Sequence, residues 1–288
     1  MTLSDSWRSA LDPQRVMEMD VVRWQDEDAA SCDEHLTVEE PFEVRLGHQS
    51  LAVIMRTPGH DIELALGFLL TEGIIQSAED ILSVQNDQDE DGLPLANVVN
   101  VTLRHATQQA AMQAHPATFE RHFAVSASCG LCGKNSIADL MLTVPALEPD
   151  QLQISAETCY GLADQLNAQQ AVFHHTGGLH AAGLFTSQGE LLTLREDIGR
   201  HNAVDKVIGY GLSNTLFPYN EHILMVSGRT SFEIIQKALL ARIPCVAAIS
   251  APSSMAVELA EKGGITLIGF LRNRSMNVYT HPERIVAR

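Results

Sequence analysis

The second half of the chain alternates short apolar runs with amphipathic stretches, and this alternation limits the possible folds more than any other feature of the sequence. HILMVSG, CVAAIS and ITLIGFLR are apolar runs of strand length, separated by stretches with helical spacing of their apolar residues. HAAGLFT and ELLTLRE precede them and are joined across Ser187–Gln188–Gly189. The resulting order, β-β-α-β-α-β-α-β, predicts an α/β domain with a mostly parallel sheet.

The helices of this half carry signals for their ends. GRHNAVDKVIGYG is predicted to end at Gly211. TSFEIIQKALLARI is predicted to begin at Thr230, because Glu233 stands three residues later, as in a capping box. SAETCYGLADQLNAQQ and SSMAVELAEKGG supply two more helices.

The first half predicts a smaller, β-rich α+β domain. LTVEEPFEVRLGHQSLAVIMRTPG indicates two strands around a turn at Gly47–His48, DIELALGFLLTEG a helix, and ANVVNVTLR a further strand. The polar and acidic residues 1–35 predict a flexible arm, and the proline-marked PALEPDQLQ a linker. We therefore expect an acidic arm over 1–35, an N-terminal domain over 36–148 and a C-terminal α/β domain over 149–288.

Charge and hydropathy exclude several classes of protein. The formal net charge of -17 argues against a general nucleic-acid binder, whose affinity comes from Lys and Arg on phosphates. No apolar run approaches the roughly 20 residues that span a bilayer, and the first residues lack the apolar stretch of a signal peptide. We expect a soluble, cytoplasmic protein without membrane insertion.

The five cysteines do not form a disulfide framework, because they are few for a chain of this length and their number is odd. Cys159 and Cys245 stand in apolar surroundings and are predicted to be small buried hydrophobic residues. Cys129 and Cys132 are different, because they form a CxxC in the glycine-rich segment SASCGLCGKNSI, residues 126–137.

Three kinds of site use a CxxC, and the residues alone leave all three open. A zinc site needs four ligands, and His115 and His122 are the nearest further candidates. A redox dithiol usually stands in a thioredoxin-like βαβ context, which the preceding sequence lacks. A nucleophilic thiolate needs a lowered pKa, and Cys129 has Lys134 nearby and a predicted helix start just beyond it.

Three strand ends in the second half are rich in hydroxyl residues and arginine. They are Ser227–Gly228–Arg229–Thr230, Ser250–Ala251–Pro252–Ser253–Ser254 and Arg272–Asn273–Arg274–Ser275. Ligands of open α/β sheets bind outside the carboxyl ends of the strands, and helix N-termini favour anions. The repetition predicts a pocket for a ligand that carries phosphate.

The stretch REDIGRHNAVDK, residues 195–206, is dense in polar groups. His201 and Asp205 are four residues apart on a predicted helix and can share one face. They could be acid/base equipment or a solvated ion pair, and the spacing does not decide between these. His180 follows two glycines and is either a functional residue or a buried histidine bonded to backbone.

Long segments on both sides of the linker resemble one family, the FdhD/NarQ family of formate dehydrogenase accessory sulfurtransferases. The resemblance extends over about residues 36 to 285 and rests on RTPGHDIELALGFLLTEGI, SASCGLCGK, TGGLHAAGL, REDIGRHNAVDKVIG, SGRTSFEIIQKA, SAPSSMAVELAE and TLIGFLRNRSMNVY. It implies that the C-terminal domain has the three-layer fold of cytidine deaminases. It also implies a homodimer.

The resemblance implies a sulfur carrier that holds a persulfide on the first cysteine of its CxxC, here Cys129, with Cys132 as the second. A cysteine desulfurase would supply the sulfur. The acceptor would be a molybdenum or tungsten cofactor with two pterin guanine dinucleotides, before its insertion into formate dehydrogenase, and GDP would mimic part of it. The family's cofactor-binding segment matches Phe270, Leu271, Arg272, Asn273, Arg274 and Ser275.

Four further residues join the expected cofactor site because they stand at strand ends or at a helix start. They are Ser227, Gly228, Arg229 and His201. No metal site of the protein's own is predicted. The alternative function is a cofactor-binding chaperone in which the CxxC is a redox or structural pair.

A deaminase activity does not fit the residues. Zinc deaminases show H-x-E and later P-C-x-x-C. Here His180 is followed two places on by Ala182, and Pro244–Cys245 is followed by Val246, Ala247 and Ala248. The acidic proton shuttle and the second cysteine are both missing.

Overall fold

The computed structural model describes residues 12–47, 49–89, 91–104, 107, 123–125 and 145–287, with only the backbone given at 123–125. The helices are α1 (Asp61–Thr71), α2 (Ala156–Ala168), α3 (Ala171–Thr176), α4 (Arg200–Ser213), α5 (Phe232–Leu240) and α6 (Ser254–Gly263). The strands are β1 (Val16–Gln25), β2 (Asp28–Thr37), β3 (Glu40–Leu46), β4 (Gln49–Arg56), β5 (Ile81–Gln88), β6 (Pro94–Leu103), β7 (Phe123–Val125), β8 (Ile154–Ser155), β9 (His180–Thr186), β10 (Leu191–Asp197), β11 (His222–Val226), β12 (Cys245–Ala248), β13 (Thr266–Arg272), β14 (Ser275–Thr280) and β15 (Ile285–Val286). None of the helices in these residues is long and apolar enough to cross a bilayer.

The C-terminal half is built on a six-stranded sheet of order β10-β9-β11-β12-β13-β14. β11, β12 and β13 are parallel, and β10 runs in the same direction, whereas β9 and β14 run against them. The predicted order β-β-α-β-α-β-α-β is confirmed. The prediction of a mostly parallel sheet is corrected to a mixed sheet, because only the β11–β12 and β12–β13 pairs are parallel and the other three pairs are antiparallel. The sequence did not predict β14, which folds back on β13 after a two-residue turn.

Helices cover both faces of this sheet. Phe185, Ile223 and Met225 point to the face covered by α2, where they share a core with Cys159 and Leu162. Their strand neighbours, among them Leu184 and Leu224, belong to a second core with α4, α5 and α6 on the opposite face. The result is three layers, with the sheet in the middle. A closer likeness to the cytidine deaminases stays a prediction.

Cys159 and Cys245 are both fully buried in the core beneath α2, as predicted. Burial raises the pKa of the Cys159 thiol to about 11, because the thiolate would lose its hydration. Burial also raises the pKa of Cys245. At neutral pH both are therefore protonated thiols, and they act as packing groups rather than nucleophiles.

The N-terminal half forms a five-stranded sheet of order β5-β6-β3-β4-β7. The predicted pair of strands around residues 47 and 48 is confirmed as the antiparallel pair β3–β4. α1 packs between this sheet and α4, so that it is buried on almost every side over Leu64–Thr71. The two halves consequently share one continuous hydrophobic core, although the sequence predicts two domains.

Two glycines allow α1 and α4 to touch backbone to backbone. A Cβ on Gly67 of α1 would lie 1.8 Å from the carbonyl oxygen of Asp205, and a Cβ on Gly209 of α4 would lie 1.8 Å from that of Glu63. Both distances are far inside van der Waals contact, so any side chain here would force the helices apart. These glycines therefore set the position of the first half on the second.

The predicted flexible arm over 1–35 is wrong for most of its length. Val16–Gln25 and Asp28–Thr37 form an antiparallel hairpin, with the turn at Asp26 and Glu27. The period-two pattern in VMEMDVV is a strand signal, which the acidic composition masked. Residues 1–11 lie outside the described part of the chain.

Two predicted helix ends are also corrected. α4 continues past Gly211 to Ser213, and this glycine is needed because the Tyr219 ring lies where its Cβ would be. α5 begins at Phe232 with Ser231 as its N-cap, so that Thr230 and Glu233 form no capping box. Thr230 instead bonds through its backbone to the loop after β12.

Candidate functional site

The six-stranded sheet brings the predicted segments to one edge. β10, β11, β12 and β13 all end there, and β9 and β14 begin there. The loop after β11 is bonded to the loop after β12, since the Thr230 amide donates to the Ala251 carbonyl at 3.2 Å. The Phe270 amide donates to the Ser250 carbonyl at 3.2 Å and ties in the end of β13. The three strand ends form one continuous surface, which we call the carboxyl edge.

A close approach at Gly228 shapes the carboxyl edge. A Cβ on Gly228 would lie 3.3 Å from Nδ1 of His180 and 3.9 Å from Cδ of Arg200. Ser227 fixes the strand beneath, because its hydroxyl accepts the Ala181 amide proton at 2.9 Å. Ser227 and Gly228, predicted from β11, thus lie beside two residues from β9 and α4.

Positive charge collects around His180. Arg229 is exposed and Arg200 is half-buried, and neither forms an ion pair with any carboxylate in the described ranges. Burial and the charges of these two arginines lower the pKa of His180, against the opposing effect of Asp197. The imidazole is therefore neutral at pH 7 and can donate one hydrogen bond to a ligand and accept another.

His201 opens α4 just behind this group and is almost fully buried. Its Nε2 lies 3.3 Å from the Ser231 hydroxyl and 3.9 Å from a carboxylate oxygen of Glu233. Burial, together with the charges of Lys237 and Arg200, lowers the pKa of His201 to about 3. His201 is thus a neutral, fixed imidazole at the floor of the carboxyl edge.

The suggested pairing of His201 with Asp205 does not occur. Asp205 accepts from the Lys237 ammonium at 2.8 Å and from the Thr71 hydroxyl at 2.8 Å, and all three are buried between α1, α4 and α5. The alternative prediction, a solvated ion pair of His201 with Asp205, is wrong because of the same contacts. Asp205, near the C-terminal end of the stretch 195–206, therefore joins α4 to α1 and α5 and does not face a ligand.

Three buried polar atoms at the carboxyl edge have no hydrogen-bond partner within the described residues. They are Nε of Arg200, Nδ1 of His201 and Oγ1 of Thr230. Buried polar groups are nearly always paired, and a bound ligand or water is one explanation for a group that lacks a partner within the protein. With two arginines, a neutral histidine and several hydroxyls, the arrangement suits a ligand that carries phosphate, because phosphate oxygens accept hydrogen bonds from such groups.

The segment Phe270–Ser275 has an unusual backbone. Phe270, Asn273 and Arg274 all have positive φ, at 52°, 51° and 54°. Residues Asn273 and Arg274 are the two central positions of the β13–β14 turn, where positive φ is required. Phe270 stands at a register shift of β13 and leaves its ring 38% exposed. Non-glycine residues in this region cost free energy and concentrate at ligand sites.

The six residues of this segment do not all face the same way. Arg272, Asn273 and Ser275 are exposed, whereas Leu271 is fully buried beneath α2, so its side chain is not available to a ligand. Arg274 turns toward α2, where it donates to Glu157 at 2.7 Å and lies over the Tyr160 ring. The structure thus places Arg274 away from Arg229 and His180.

Cys129 and Cys132 lie outside the described residues, as do His115, His122 and Lys134. The last described residue before these positions is Val125, at the end of β7, which pairs in parallel with Ile54 of β4. The next residues of β4 contact α4, because Asn202 donates to the Met55 carbonyl at 2.8 Å. The end of β7 therefore lies close to the helix that carries His201.

The sequence predicts Thr230 only as part of the segment after β11, and it predicts no cofactor-binding role for Arg200 or His180. The predicted strand ends are those of β11, β12 and β13 alone. Because β9 runs against its neighbours, its first residue joins the carboxyl ends of the others. The end of β10 in REDIGRH is a further strand end that the sequence offered.

Curated proteins from bacteria and archaea are similar to this chain along most of their length. The sulfur carrier protein FdhD of Mycolicibacterium paratuberculosis is 48% identical over 261 residues, which cover 89% of this chain and 94% of the relative. The protein of the same name from Streptomyces coelicolor is 44% identical, covering 93% and 95%. That of Saccharolobus solfataricus is 42% identical, covering 94% and 98%.

A solved structure has the same fold. A protein from Desulfotalea psychrophila, described as a formate dehydrogenase accessory protein, superimposes with a TM-score of 0.73 at 23% identity, over 94% of this chain and 100% of that one. The model of the FdhD/NarQ family matches residues 37–286, which include both sheets and the whole carboxyl edge. The chain belongs to the FdhD/NarQ family.

Proposed function

We propose that this protein is a sulfur carrier for formate dehydrogenase. It takes sulfur from a cysteine desulfurase as a persulfide on Cys129 and passes it to a molybdenum or tungsten cofactor with two pterin guanine dinucleotides, before that cofactor enters the dehydrogenase. The names of the relatives support the sulfur carrier role. The observation that carries the cofactor part is the cluster of unpaired polar atoms and arginines at the carboxyl edge.

The carboxyl edge fits the chemistry of the cofactor's dinucleotide arms. Each arm carries a pyrophosphate, which needs several hydrogen-bond donors and positive charge. Arg200, Arg229 and the neutral His180 supply these, together with the hydroxyl of Thr230. The exposed Phe270 ring offers a flat apolar surface to the guanine or the pterin. GDP is the expected mimic of one arm.

Sulfur uptake is a thiol exchange at Cys129. The Cys129 thiolate attacks the outer sulfur of the donor's persulfide, the donor's S–S bond breaks, and the donor cysteine leaves as a thiolate. A new S–S bond forms on Cys129, with no net oxidation. In this proposal Cys129 is the nucleophile and the glycines beside it admit the donor.

Cys132 has two roles that fit the proposal. It can attack the inner sulfur of the Cys129 persulfide, which releases hydrosulfide and leaves a Cys129–Cys132 disulfide for a cellular thiol to reduce. It can instead protect or position the persulfide, which is then transferred directly. Both roles keep Cys129 as the sulfur-bearing residue.

The chain connection supports transfer between the two parts of the protein. Cys129 is four positions after Val125, a length of chain that reaches at most about 14 Å. Val125 pairs with Ile54, and the neighbouring Met55 is bonded to Asn202 of α4. A persulfide on this segment therefore starts near the helix whose first turn lines the carboxyl edge. We also propose, from the likeness to the family, that the protein is cytoplasmic and forms a homodimer.

Mass spectrometry after incubation with a desulfurase and cysteine tests the central step. We expect a gain of one sulfur mass that is lost in Cys129→Ala and retained in Cys32→Ala. Cys32 is the matched control because it is the free cysteine with partial exposure in the described part of the chain. Sulfur retained by Cys129→Ala would remove the proposed carrier residue.

The second candidate is a chaperone that binds the cofactor without carrying sulfur on the CxxC. It is favoured by the carboxyl edge, whose unpaired polar atoms belong to Arg200, His201 and Thr230 and not to the CxxC. The two candidates differ for Cys129→Ala. A sulfur carrier requires that the dehydrogenase then contains cofactor but is inactive, whereas a chaperone supports full activity.

A further inference from the structure

The β1–β2 hairpin stands at the rim of the carboxyl edge. Its last residue, Thr37, donates a hydroxyl hydrogen bond to Thr176 at 2.8 Å and lies where a Cβ on Gly178 would be. Gly178 leads directly into β9 and His180. On the other side, Arg15 donates to the Glu196 carbonyl of β10 at 3.4 Å. The base of the hairpin is therefore held by contacts to α3, to the residues just before β9 and to β10.

One face of the hairpin combines exposed apolar groups with carboxylates. Val22 and Trp24, near the tip, are 64% and 70% exposed. On the same face, Asp20 lies directly opposite Asp33, and Glu18 lies two residues before Asp20 along β1. We call these five residues the hairpin face. A large exposed aromatic beside a charged group is typical of a protein interaction site.

The hairpin face carries negative charge that the described part of the protein does not neutralise. The hairpin contains seven acidic residues and one arginine, and that arginine, Arg23, is paired with Glu34 at 2.7 Å. Like charges directly opposite each other on a sheet are unfavourable. A hydrogen bond with Asp33, together with the negative charge of Asp33, raises the pKa of Asp20. A cationic group from a partner would relieve this repulsion.

We propose that the hairpin face is the docking site for the cofactor-accepting subunit of formate dehydrogenase, and this rests on the proposed function. A cofactor with two dinucleotide arms is a polyanion, so the opening through which it enters the subunit needs basic side chains around it. The acidic hairpin face complements such a rim. Because the hairpin stands beside the carboxyl edge, docking there would bring the bound cofactor to the opening.

Two other occupants fit less well. A second copy of this chain would present the same acidic face, on a protein with a net charge of -17, and like charges suppress such pairing. The desulfurase must reach Cys129, which follows Val125 of β7 by four positions in the sequence, and β7 belongs to the five-stranded sheet, whereas the hairpin is bonded to β10 and α3. The family match also begins at residue 37, the last residue of the hairpin, and so leaves out the hairpin face, which fits recognition of a particular partner rather than the shared sulfur chemistry.

Binding of the purified, cofactor-free dehydrogenase subunit to immobilised protein tests the proposal. We expect Val22→Ser/Trp24→Ala and Asp20→Asn/Asp33→Asn each to weaken the affinity by about tenfold or more. High salt should weaken binding of the unchanged protein, and less so that of Asp20→Asn/Asp33→Asn. Leu82→Ser is the matched control, because Leu82 is 63% exposed on β5 and lies in the other sheet.

Two readouts separate this proposal from the proposed function. Sulfur loading of Cys129 and GDP binding should be unchanged in both hairpin variants, and melting temperatures should show that they fold. Unchanged dehydrogenase binding in both variants overturns the docking site. Loss of desulfurase transfer with intact dehydrogenase binding also overturns it and assigns the hairpin to the donor. Failure of sulfur loading or GDP binding in the unchanged protein would instead count against the proposed function.

Discussion

The ammonium group of Lys237 lies 2.8 Å from both carboxylate oxygens of Asp205, in a contact buried between α1, α4 and α5. Thr71 of α1 completes it, since its hydroxyl donates to the same carboxylate and accepts from the ammonium. The pair and Thr71 together link the two halves of the protein, and Asp205 lies one helical turn after His201 on α4. The contact is therefore part of what holds the carboxyl edge in place.

Replacing Lys237 by methionine should destabilise the protein strongly. The substitution leaves the Asp205 carboxylate buried without its cation, and breaking a buried pair in this way costs about 3–5 kcal/mol. The matched control is Lys262→Met, whose pair with Glu258 is exposed and should contribute less than about 1 kcal/mol. Urea unfolding measures both. Similar losses for the two variants would show that Asp205 and Lys237 are not an energetically coupled buried pair.

Gly67→Ala should be among the most destabilising alanine substitutions in the chain. The added methyl would meet the Asp205 carbonyl at 1.8 Å, and a backbone atom cannot move aside without separating α1 from α4. We expect a loss of about 3 kcal/mol or more in the free energy of unfolding.

Gly161→Ala is the control for this glycine. Gly161 also lies within a helix, α2, but a Cβ there meets only the flexible end of Gln165 at 3.7 Å. Alanine should be neutral or stabilise the helix by up to about 1 kcal/mol. Thermal unfolding of the two variants compares them directly. An equal effect at both positions would contradict the close helix crossing.

Local patterns predicted most of the C-terminal half, because its strands are short apolar runs and its helices have regular spacing. They did not predict the hairpin, where strand periodicity competes with acidic composition over Val16–Thr37. They also placed the end of α4 too early at Gly211, because that glycine serves the packing of Tyr219 and not a helix stop. The first error arises from two competing local signals, and the second from a tertiary contact that the local sequence does not show.

The candidate site shows the same division. The rule that ligands bind at carboxyl ends of strands located Ser227, Gly228 and Arg229 correctly at one edge. The partner of Asp205 could not be predicted, because Lys237 is 32 residues away and reaches it only through the packing of α4 on α5. Nor could the sequence show that Arg274 is turned toward Glu157. The periodicity of apolar residues predicts helices and strands. The direction of a side chain at a turn depends on the residues that pack against it, which the periodicity does not show.

Arginine substitutions should distinguish the ligand-facing part of the site from the part tied to α2. We expect Arg229→Ala and Arg272→Ala each to weaken GDP binding by about tenfold, the loss of one charge-assisted contact. Arg274→Ala should have a smaller effect, because this side chain is engaged with Glu157 and the Tyr160 ring. Calorimetric titration with GDP measures all three. A larger effect at Arg274 than at Arg229 would move the nucleotide to the α2 side of the sheet.

His201 should make the protein less stable in acid. Its pKa is about 3 in the folded protein against 6.5 as the ordinary value, because burial and the charges of Lys237, Arg200 and His180 disfavour the cation, with Glu233 as the nearest opposing charge. Between these two values the unfolded chain binds a proton that the folded chain does not. Stability associated with His201 is therefore fully present above about pH 6.5 and is lost as the pH falls toward 3.

The variant His201→Gln should flatten the stability profile in this window, and His281→Gln is the control with the opposite sign. Burial opposes the cation at His281, but hydrogen bonds to Glu261 and Glu283 outweigh it and raise the pKa. The stability that His281 contributes is thus present in acid and is lost as the pH rises through the pKa of His281 in the folded protein. Unfolding free energies measured across the pH range for both variants test the assignment. If His201→Gln kept the acid sensitivity of the unchanged protein, His201 would not be the buried neutral group at the floor of the carboxyl edge.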